Sequence, residues 1–476
     1  MQIETQTDSR HLLGSEQTKL TEVGIAIDVG TATVALNVWS LSSGKLLGSL
    51  AERNSQMRYG QDAIHRITFA VRPPLTGSAS VVETGSSALH YSIIAQLEKM
   101  IAQTLAVITQ KFAGRLYFDV SRIVITGNTT MLSFICAFPV EGLAAAPFTP
   151  PSKFGFTSRW NCVRRGLVSE KCASLDSPTP EILQIFASSC VDPSVPVFFP
   201  PCPGAFVGAD TVCAMLSAGF LPEGTDERQN ENSGWNLPLK TPVLLADIGA
   251  NTEIALFVPG SQSENAKIMC ASSAAGPVFE CTNVICGMSP LNGAIEKVTC
   301  KDKISCQVIG GGSARGVCGT GLVSAGAEFI RRNIIDDAGI IQKNVSKLAD
   351  GTTCVQLTPA VFLSQPDIRS LLLAKAAVYA GLEYMLEHSP SLPVLCVAGS
   401  SGADFNIEDA CTIGLIPQKL KDRCVHLGDA ALEGASAMLF SKKLRKRAFE
   451  IANHTEIVNF SELQGFQEKY SNFMKF

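Results

Sequence analysis

Strong charge imbalance is absent. The 476 residues carry 39 basic and 43 acidic side chains, a net charge of −4. That balance gives no basic stripe for nucleic acid and no polybasic patch for a membrane surface. Long apolar runs are absent too. The most apolar region, Val197 to Phe220, is broken by Pro200, Pro201, Pro203 and Asp210, so no membrane span is expected. Met1 to Leu20 is polar and lacks the apolar stretch of a secretion signal, which leads us to expect a cytoplasmic protein. No Cys-x-x-Cys occurs among the 16 cysteines, and the closest pairs are Cys281 with Cys286 and Cys300 with Cys306. Those spacings match neither a zinc knuckle nor an iron–sulfur ligand set, so the thiols read as reduced, buried, small apolar residues. His-x-x-x-His is also missing, which removes the usual helical metal pair.

What is present is a globular composition, 46% hydrophobic, with apolar material for more than one core. A polar lead over residues 1–22 precedes a short apolar strand, Val23 to Asp28, that runs into a tight turn. Val34 to Leu41, the turn Ser42-Ser43-Gly44-Lys45 and a second strand near Leu46 to Leu50 read as a hairpin. Helical spacing follows from Tyr91 to Phe112, and another strand from Arg122 to Thr126. Then the opening pattern returns about 220 residues later, with Val243 to Asp247 as a strand, a turn, and Ile254 to Val258 as a second strand. Helices are expected at Leu322 to Asn333 and Asp367 to Glu387, and a last strand at Val394 to Ala398. The expected organisation is an N-terminal lobe over 23–220, a polar linker over 221–241, a C-terminal lobe over 242–440 and a charged tail over 441–476.

Both repeated turns carry Asp-x-Gly: Asp28-Val29-Gly30-Thr31 and Asp247-Ile248-Gly249-Ala250. Glycine allows close backbone approach or a left-handed φ, and a tight turn lines up N–H groups as an anion nest. Thr31 and Thr33 add hydroxyl donors. Asp28 and Asp247, at strand ends, suit a Mg²⁺ shell completed by water. Two such loops, followed by a late strand entering Gly399-Ser-Ser-Gly402, are what two lobes closing on a nucleotide would require. Asn251 either donates to a phosphate or caps its turn. Glu253, just past the second loop, either orients a water or braces the turn.

Asp28-Val-Gly-Thr-Ala-Thr33, Asp247-Ile-Gly-Ala-Asn-Thr-Glu253 and Ala398-Gly-Ser-Ser-Gly402 resemble the phosphate-1, phosphate-2 and adenosine motifs of the acetate and sugar kinase/Hsp70/actin superfamily. Within it, the sequence is most similar to the reductive activators of corrinoid proteins. The stretches that carry this are Asn54-Ser-Gln-Met-Arg-Tyr-Gly60, Asp62-Ala-Ile-His-Arg66, Gly127-Asn-Thr-Thr-Met131, Ala146-Pro-Phe148 and Gly204-Ala-Phe-Val-Gly-Ala-Asp210. Ala274 to Glu280, Val317 to Gly321, Leu373 to Gly381 and Ile413 to Pro417 extend it, so it spans about residues 23–440. It implies an α/β, two-lobed actin/Hsp70-like ATPase fold, with an ATP cleft between duplicated ribonuclease-H-like lobes. It implies ATP and Mg²⁺ as cofactors, with Asp28, Gly30, Thr31, Thr33, Asp247, Gly249, Asn251, Gly399 and Gly402 around the nucleotide. Asp28 and Asp247 would hold the metal, and Asp247 and Glu253 would serve catalysis. It further implies return of a Co(II) corrinoid protein to Co(I) in a methyltransferase system.

The family usually carries an iron–sulfur domain as well. Its cysteine spacings are not in this sequence, so no cluster is expected in this chain and a separate ferredoxin-like donor is. The cobalt-ligating Asp-x-His-x-x-Gly is also missing, so the corrinoid is expected on a partner protein. Neither nucleic acid nor membrane is an expected partner, and a homodimer is an assembly the sequence allows. Ala32, Ala250 and Thr252 stand where the family usually has Thr, Thr and Gly, and Ser401 where a Phe is common; Thr252 predicts an altered second turn, because it resists φ > 0. A small-molecule kinase and a non-catalytic nucleotide-binding regulator are the other activities open to this fold.

Overall fold

The computed structural model describes residues 19–72, 84–112, 116–168, 190–220, 241–249, 251–260, 265–301, 303–399 and 405–476. The lead over 1–18 and most of the expected linker over 221–241 lie outside the described residues. The chain forms two compact units. Unit 1 is Met1–Leu216 with Ala431–Asn453, and unit 2 is Ser217–Ala430 with His454–Phe476.

In unit 1, β1 (Lys19–Val29), β2 (Thr33–Ser40) and β3 (Leu46–Arg53) form an antiparallel meander. Helices α1 (Ala63–Val71) and α2 (Gly85–Lys111) lead to β4 (Leu116–Gly127), which lies parallel to β1. Next come α3 (Thr129–Ile135), β5 (Phe154–Arg159), α4 (Trp160–Arg164), β6 (Pro196–Pro201) and α5 (Ala209–Ser217). The sheet order is β3-β2-β1-β4-β6-β5. β1 is its hydrophobic centre because both of its faces are covered. Val23, Ile25, Ala26, Ile27 and Val29 are fully buried. Gly24 is required on the second face, where a Cβ would lie 2.8 Å from Leu41 and 3.1 Å from Leu439.

Unit 2 repeats the plan. β7 (Val243–Ile248), β8 (Thr252–Val258) and β9 (Lys267–Ser273) form the meander. A three-stranded sheet of β10 (Ala294–Cys300), β11 (Ile304–Val308) and β12 (Gly316–Val317) follows, then α6 (Gly319–Arg331). A second small sheet comprises β13 (Val345–Lys347), β14 (Thr353–Thr358) and β15 (Val361–Ser364). Helix α7 (Gln365–Glu387) starts with a capping box between Ser364 and Asp367 and has Pro366 in its first turn, features that satisfy its exposed N–H groups. β16 (Val394–Ala398) lies parallel to β7; α8 (Ile407–Thr412) leads to β17 (Cys424–Gly428), parallel to β16. The order β9-β8-β7-β16-β17 matches β3-β2-β1-β4-β6 of unit 1, the arrangement of duplicated ribonuclease-H-like lobes.

The expected boundaries over 242–440 and 441–476 do not match this division. Helices α9 (Ala430–Phe440) and α10 (Lys442–His454) sit on unit 1. Trp39 Nε1 donates to Ser436 Oγ at 3.1 Å, and Arg122 Nη1 donates to the Leu439 carbonyl at 3.1 Å. The basic run opens α10: Lys442, Lys443 and Lys446 are exposed, Arg445 stacks on Phe198 and donates from Nε to the Met438 carbonyl, and Ala448, Ile451 and Ala452 are buried. β18 (Thr455–Ile457) then joins the edge of unit 2 beside β9, followed by α11 (Phe466–Asn472). Phe460 and Phe466 stack at 4.3 Å, and the Phe476 N–H reaches the Asp337 carbonyl at 2.8 Å. Charge composition concealed these sparse apolar anchors, so the segment reads as a tail and packs as structure.

Candidate functional site

In unit 1 the first Asp-x-Gly loop closes the β1–β2 hairpin. Val29 pairs with Val34, which leaves Gly30, Thr31, Ala32 and Thr33 as the turn. Gly30 N–H donates to the Thr33 carbonyl at 2.9 Å. Gly30 does not use a left-handed φ; its role is close approach, since a Cβ there would lie 3.0 Å from the Thr33 carbonyl oxygen. Asp28 stands partly exposed at the end of β1, paired with Ala35 on one side and Thr126 on the other.

Three further stretches converge on this loop. Asn54 Nδ2 donates to the Gly30 carbonyl at 2.8 Å, and its own N–H donates to the Ala32 carbonyl at 2.8 Å. Arg66 Nη2 donates to the Thr31 carbonyl at 2.6 Å. Asn128 caps α3 through Met131 N–H and donates from Nδ2 to Thr31 Oγ1 at 3.1 Å. Asp210 belongs to the same neighbourhood. Its Oδ1 accepts from Thr211 N–H, and a Cβ on Gly208 would lie 2.5 Å from that oxygen and 2.7 Å from Asn128 Cα. Burial pushes the Asp210 carboxyl up to about 6. Cys213, buried beneath, feels both Asp210 and Asp28; burial, with those carboxylates, raises its thiol pKa far above the ordinary range. Its Sγ donates to Thr126 Oγ1 at 3.2 Å.

In unit 2 the second loop closes the β7–β8 hairpin with one residue fewer. Ile248 pairs with Thr252, so three residues form the turn, and Gly249 N–H donates to the Asn251 carbonyl at 3.0 Å. Ala250 lies outside the described residues. Asn251 is exposed at the tip. Thr252, expected to alter the turn, is instead the first residue of β8 and fully buried, so it needs no left-handed backbone. Asp247 pairs with Glu253, and Glu253 with Ser272, in one row across three strands. Residues in such a row share a face of the sheet, and like charges directly opposite each other repel. Ser272 Oγ donates to Glu253 Oε1 at 3.0 Å, which steadies that carboxylate. Glu280 Oε1 lies 3.8 Å from where a Gly249 Cβ would be, so a third carboxylate borders the loop.

The late glycine of the adenosine motif is Gly399, which follows β16. Its φ is +120°, and a Cβ there would lie 2.2 Å from the Ile248 carbonyl oxygen. Gly127, the last residue of β4 in unit 1, is its counterpart: φ is +155°, and a Cβ would lie 2.6 Å from the Val29 carbonyl oxygen. The left-handed backbone expected in the Asp-x-Gly turns therefore sits one strand away, where the adjacent parallel strand crowds the end of each Asp-bearing strand. Gly402 and Ser401 lie outside the described residues. Asn54, Arg66, Asn128 and Asp210 were present in the stretches that carry the family resemblance, but only their contacts assign them to the loop.

A hard divalent cation needs oxygen donors, and Mg²⁺ usually takes one or two carboxylates together with phosphates and waters. The described residues contain no cluster of three or more acidic, His or Cys side chains set as a metal cage. The carboxylates of Asp28 and Asp210 in unit 1, and of Asp247 and Glu253 in unit 2, fit the sparser Mg²⁺ donor set. No described helix is long and apolar enough to cross a membrane.

Two family models match the chain. One, described as the RACo middle region, covers residues 23–162, and the other, the C-terminal domain of RACo, the ASKHA domain, covers 241–476. The corrinoid activation enzyme RamQ of Eubacterium limosum is 29% identical over 447 residues, 88% of this chain. The chain spans 64% of that relative's length. The [Co(II) methylated amine-specific corrinoid protein] reductase of Methanosarcina barkeri is 24% identical over 94% of this chain and 75% of its own length. Among solved structures, a reductive activator for corrinoid, iron–sulfur protein superposes with a TM-score of 0.73 and 26% identity, over 97% of this chain and 67% of the other.

Proposed function

The chain belongs to the RACo family, and on that premise we propose that it uses ATP to return an inactive Co(II) corrinoid protein to Co(I) in a methyltransferase system. The observation that carries the nucleotide part of this reading is the repeated hairpin. Each unit ends its central strand in Asp-x-Gly, with a glycine-backed parallel strand beside it.

Each unit has its own task in this reading. The unit 1 loop takes phosphate through backbone N–H groups, with the Thr31 and Thr33 hydroxyls as added donors. Asp28, with Asp210 close by, offers oxygen ligands to Mg²⁺. In unit 2, Gly249 and Asn251 form the second phosphate contact, Asp247 is the metal-side carboxylate, and Glu253 holds a water in line, steadied by Ser272. Gly399 keeps the start of the nucleoside loop against β7. Bound Mg²⁺ would neutralise phosphate charge. Protonated at neutral pH, the raised Cys213 thiol plays no nucleophilic part.

A separate ferredoxin-like protein is the proposed electron donor, a reading supported by the lack of a ferredoxin cysteine spacing in these 476 residues. The corrinoid stays on the partner protein, and the system works in the cytoplasm. The test mixes the purified chain with a Co(II) corrinoid protein, Mg²⁺, ATP and an artificial reductant, and follows Co(I) by absorbance. The expected result is Co(I) formation that requires ATP. Equal Co(I) with and without ATP would overturn the activation reading, and phosphate transfer to a small molecule would replace it with a kinase. Iron analysis of the same preparation checks the donor: a stoichiometric cluster would sink the separate-donor proposal.

A further inference from the structure

We propose that Arg66 is the positioning residue of the first phosphate loop: it turns the loop's N–H edge outward and fixes a cation behind it. The inference rests on the reading that residues 30–33 contact phosphate.

The carbonyls of Gly30, Thr31 and Ala32 all point at partners within the body of unit 1: Asn54 Nδ2, Arg66 Nη2 and Asn54 N–H. In a trans peptide the next N–H points opposite its carbonyl. Holding three successive carbonyls inward therefore turns the N–H groups of Thr31, Ala32 and Thr33 away from those partners. Successive N–H groups so arranged make an anion nest. Asn54 could hold two of the three carbonyls alone, but the middle one depends on Arg66.

Arg66 is suited to this because its fork is filled on several sides. It is fully buried, with Nε donating to the Gly60 carbonyl at 2.9 Å and Nη1 to Met131 Sδ at 3.1 Å. Gly60 has no room for a side chain, since a Cβ would lie 2.8 Å from Arg66 N. Asn54 is held by the same scaffold. Its Oδ1 accepts from Gln56 N–H, Gln56 Nε2 donates to the Leu89 carbonyl of α2, and Gln96 of α2 accepts from Ser55 N–H. The brace is thus anchored in α2 and not in the loop itself. A guanidinium serves where an ammonium would not, because two carbonyls in different directions need a planar fork. Its fixed charge also favours an anion over a neutral ligand at the loop.

The experiment uses the full chain and titrates Mg²⁺·ATP, Mg²⁺·ADP and adenosine, alongside thermal melting. Arg66→Met is expected to weaken ATP and ADP about ten- to a hundredfold, the range for a lost charge-assisted hydrogen bond, while adenosine affinity stays within about twofold. Arg66→Lys keeps the charge and loses the fork, so it should fall between parent and Arg66→Met. If Arg66→Met does not fold, Arg66→Lys carries the test alone: it keeps the buried charge, loses the fork to the Thr31 and Gly60 carbonyls, and should show the same split in smaller measure. A folded variant that binds ATP as the parent does, or one that loses adenosine as much as ATP, overturns the role of Arg66. A parent that binds ATP no better than adenosine overturns the phosphate reading of the loop, a separate failure visible before any variant is made.

Discussion

Two glycines with positive φ offer a controlled test of the crowded strand end. Gly399 has φ of +120° and its added Cβ would lie 2.2 Å from the Ile248 carbonyl oxygen and 2.9 Å from the carbonyl carbon. Gly44 has φ of +66° and nothing within 4 Å. Gly44→Ala therefore isolates the conformational cost of an L-residue in left-handed backbone, about 1–2 kcal/mol. Gly399→Ala incurs a backbone cost of similar size, about 1–3 kcal/mol. To this it adds a steric conflict, because 2.2 Å is well inside the 3.0 Å that real Cβ atoms respect. The obstacle is backbone of β7, which cannot move without loosening its pairing with β8 and β16. The total should exceed about 4 kcal/mol, a range reserved for a few mechanisms of which backbone overpacking is one. A chain with two units need not melt in one step, so the readout is local hydrogen exchange. Peptides covering Val243–Ile248 and Val394–Ala398 should lose roughly a thousandfold in protection in Gly399→Ala, at about 1.4 kcal/mol per factor of ten. Those over β1 and β4 should not change. If Gly399→Ala proves no worse than Gly44→Ala, the close approach of Gly399 to Ile248 is wrong, and with it the local basis of the nucleoside loop.

Asp247→Ala should weaken Mg²⁺·ATP at least about tenfold by calorimetry and leave metal-free adenosine unaffected; unchanged ATP affinity would remove Asp247 from the site. Glu253→Gln relieves the repulsion across the Asp247 pair and keeps an acceptor for Ser272, so it should raise the urea midpoint slightly while slowing ATP hydrolysis; faster hydrolysis would contradict its placement as the water-orienting carboxylate. Asp210 gives a pH dependence of known sign. Its carboxyl moves from 3.8 to about 6 in the fold, so the native state binds the proton more tightly and stability falls as pH rises from about 4 through 6. Asp210→Asn, which keeps an acceptor for Thr211 N–H, should match the parent near pH 4. It should be more stable than the parent above pH 6.5 in chelator-treated protein, and a parent–variant difference independent of pH would refute the shift.

Strands were the legible part of the fold, for a physical reason. β16 was expected over Val394 to Ala398 and is found there, because parallel strands buried on both faces read as continuous apolar runs. The α2 start was expected at Tyr91 and lies at Gly85, where Thr84 caps the helix through Ser87 N–H ahead of the apolar spacing. Local signals could not reveal that α9 and α10 return to unit 1. That crossing is decided by the cover β1 and α5 need: a Cβ on Gly434 would lie 2.1 Å from the Cys213 carbonyl oxygen, and Leu439 fills the face that Gly24 leaves open.

The candidate site divides along the same line. Asp28, Gly30, Asp247 and Gly249 are adjacent in sequence, so their loops could be read directly. The parts that orient the first loop come from 24 and 35 residues away, as Asn54 on Gly30 and Arg66 on Thr31, and no periodicity links such positions. The two loops are also less alike than their letters. The first has four residues and a buried cation behind its middle carbonyl, whereas the second has three residues, is flanked by Asp247 and Glu253, and borders Glu280. A cation behind a nest favours phosphate oxygens, and facing carboxylates favour a metal. Carboxylates border both loops, Asp28 and Asp210 in unit 1 and Asp247, Glu253 and Glu280 in unit 2, but the first adds the Arg66 guanidinium on its middle carbonyl, so the duplicated hairpins share a topology and differ in charge. On the proposed function, exchange of the two loop sequences should abolish nucleotide binding even though every Asp and Gly is retained.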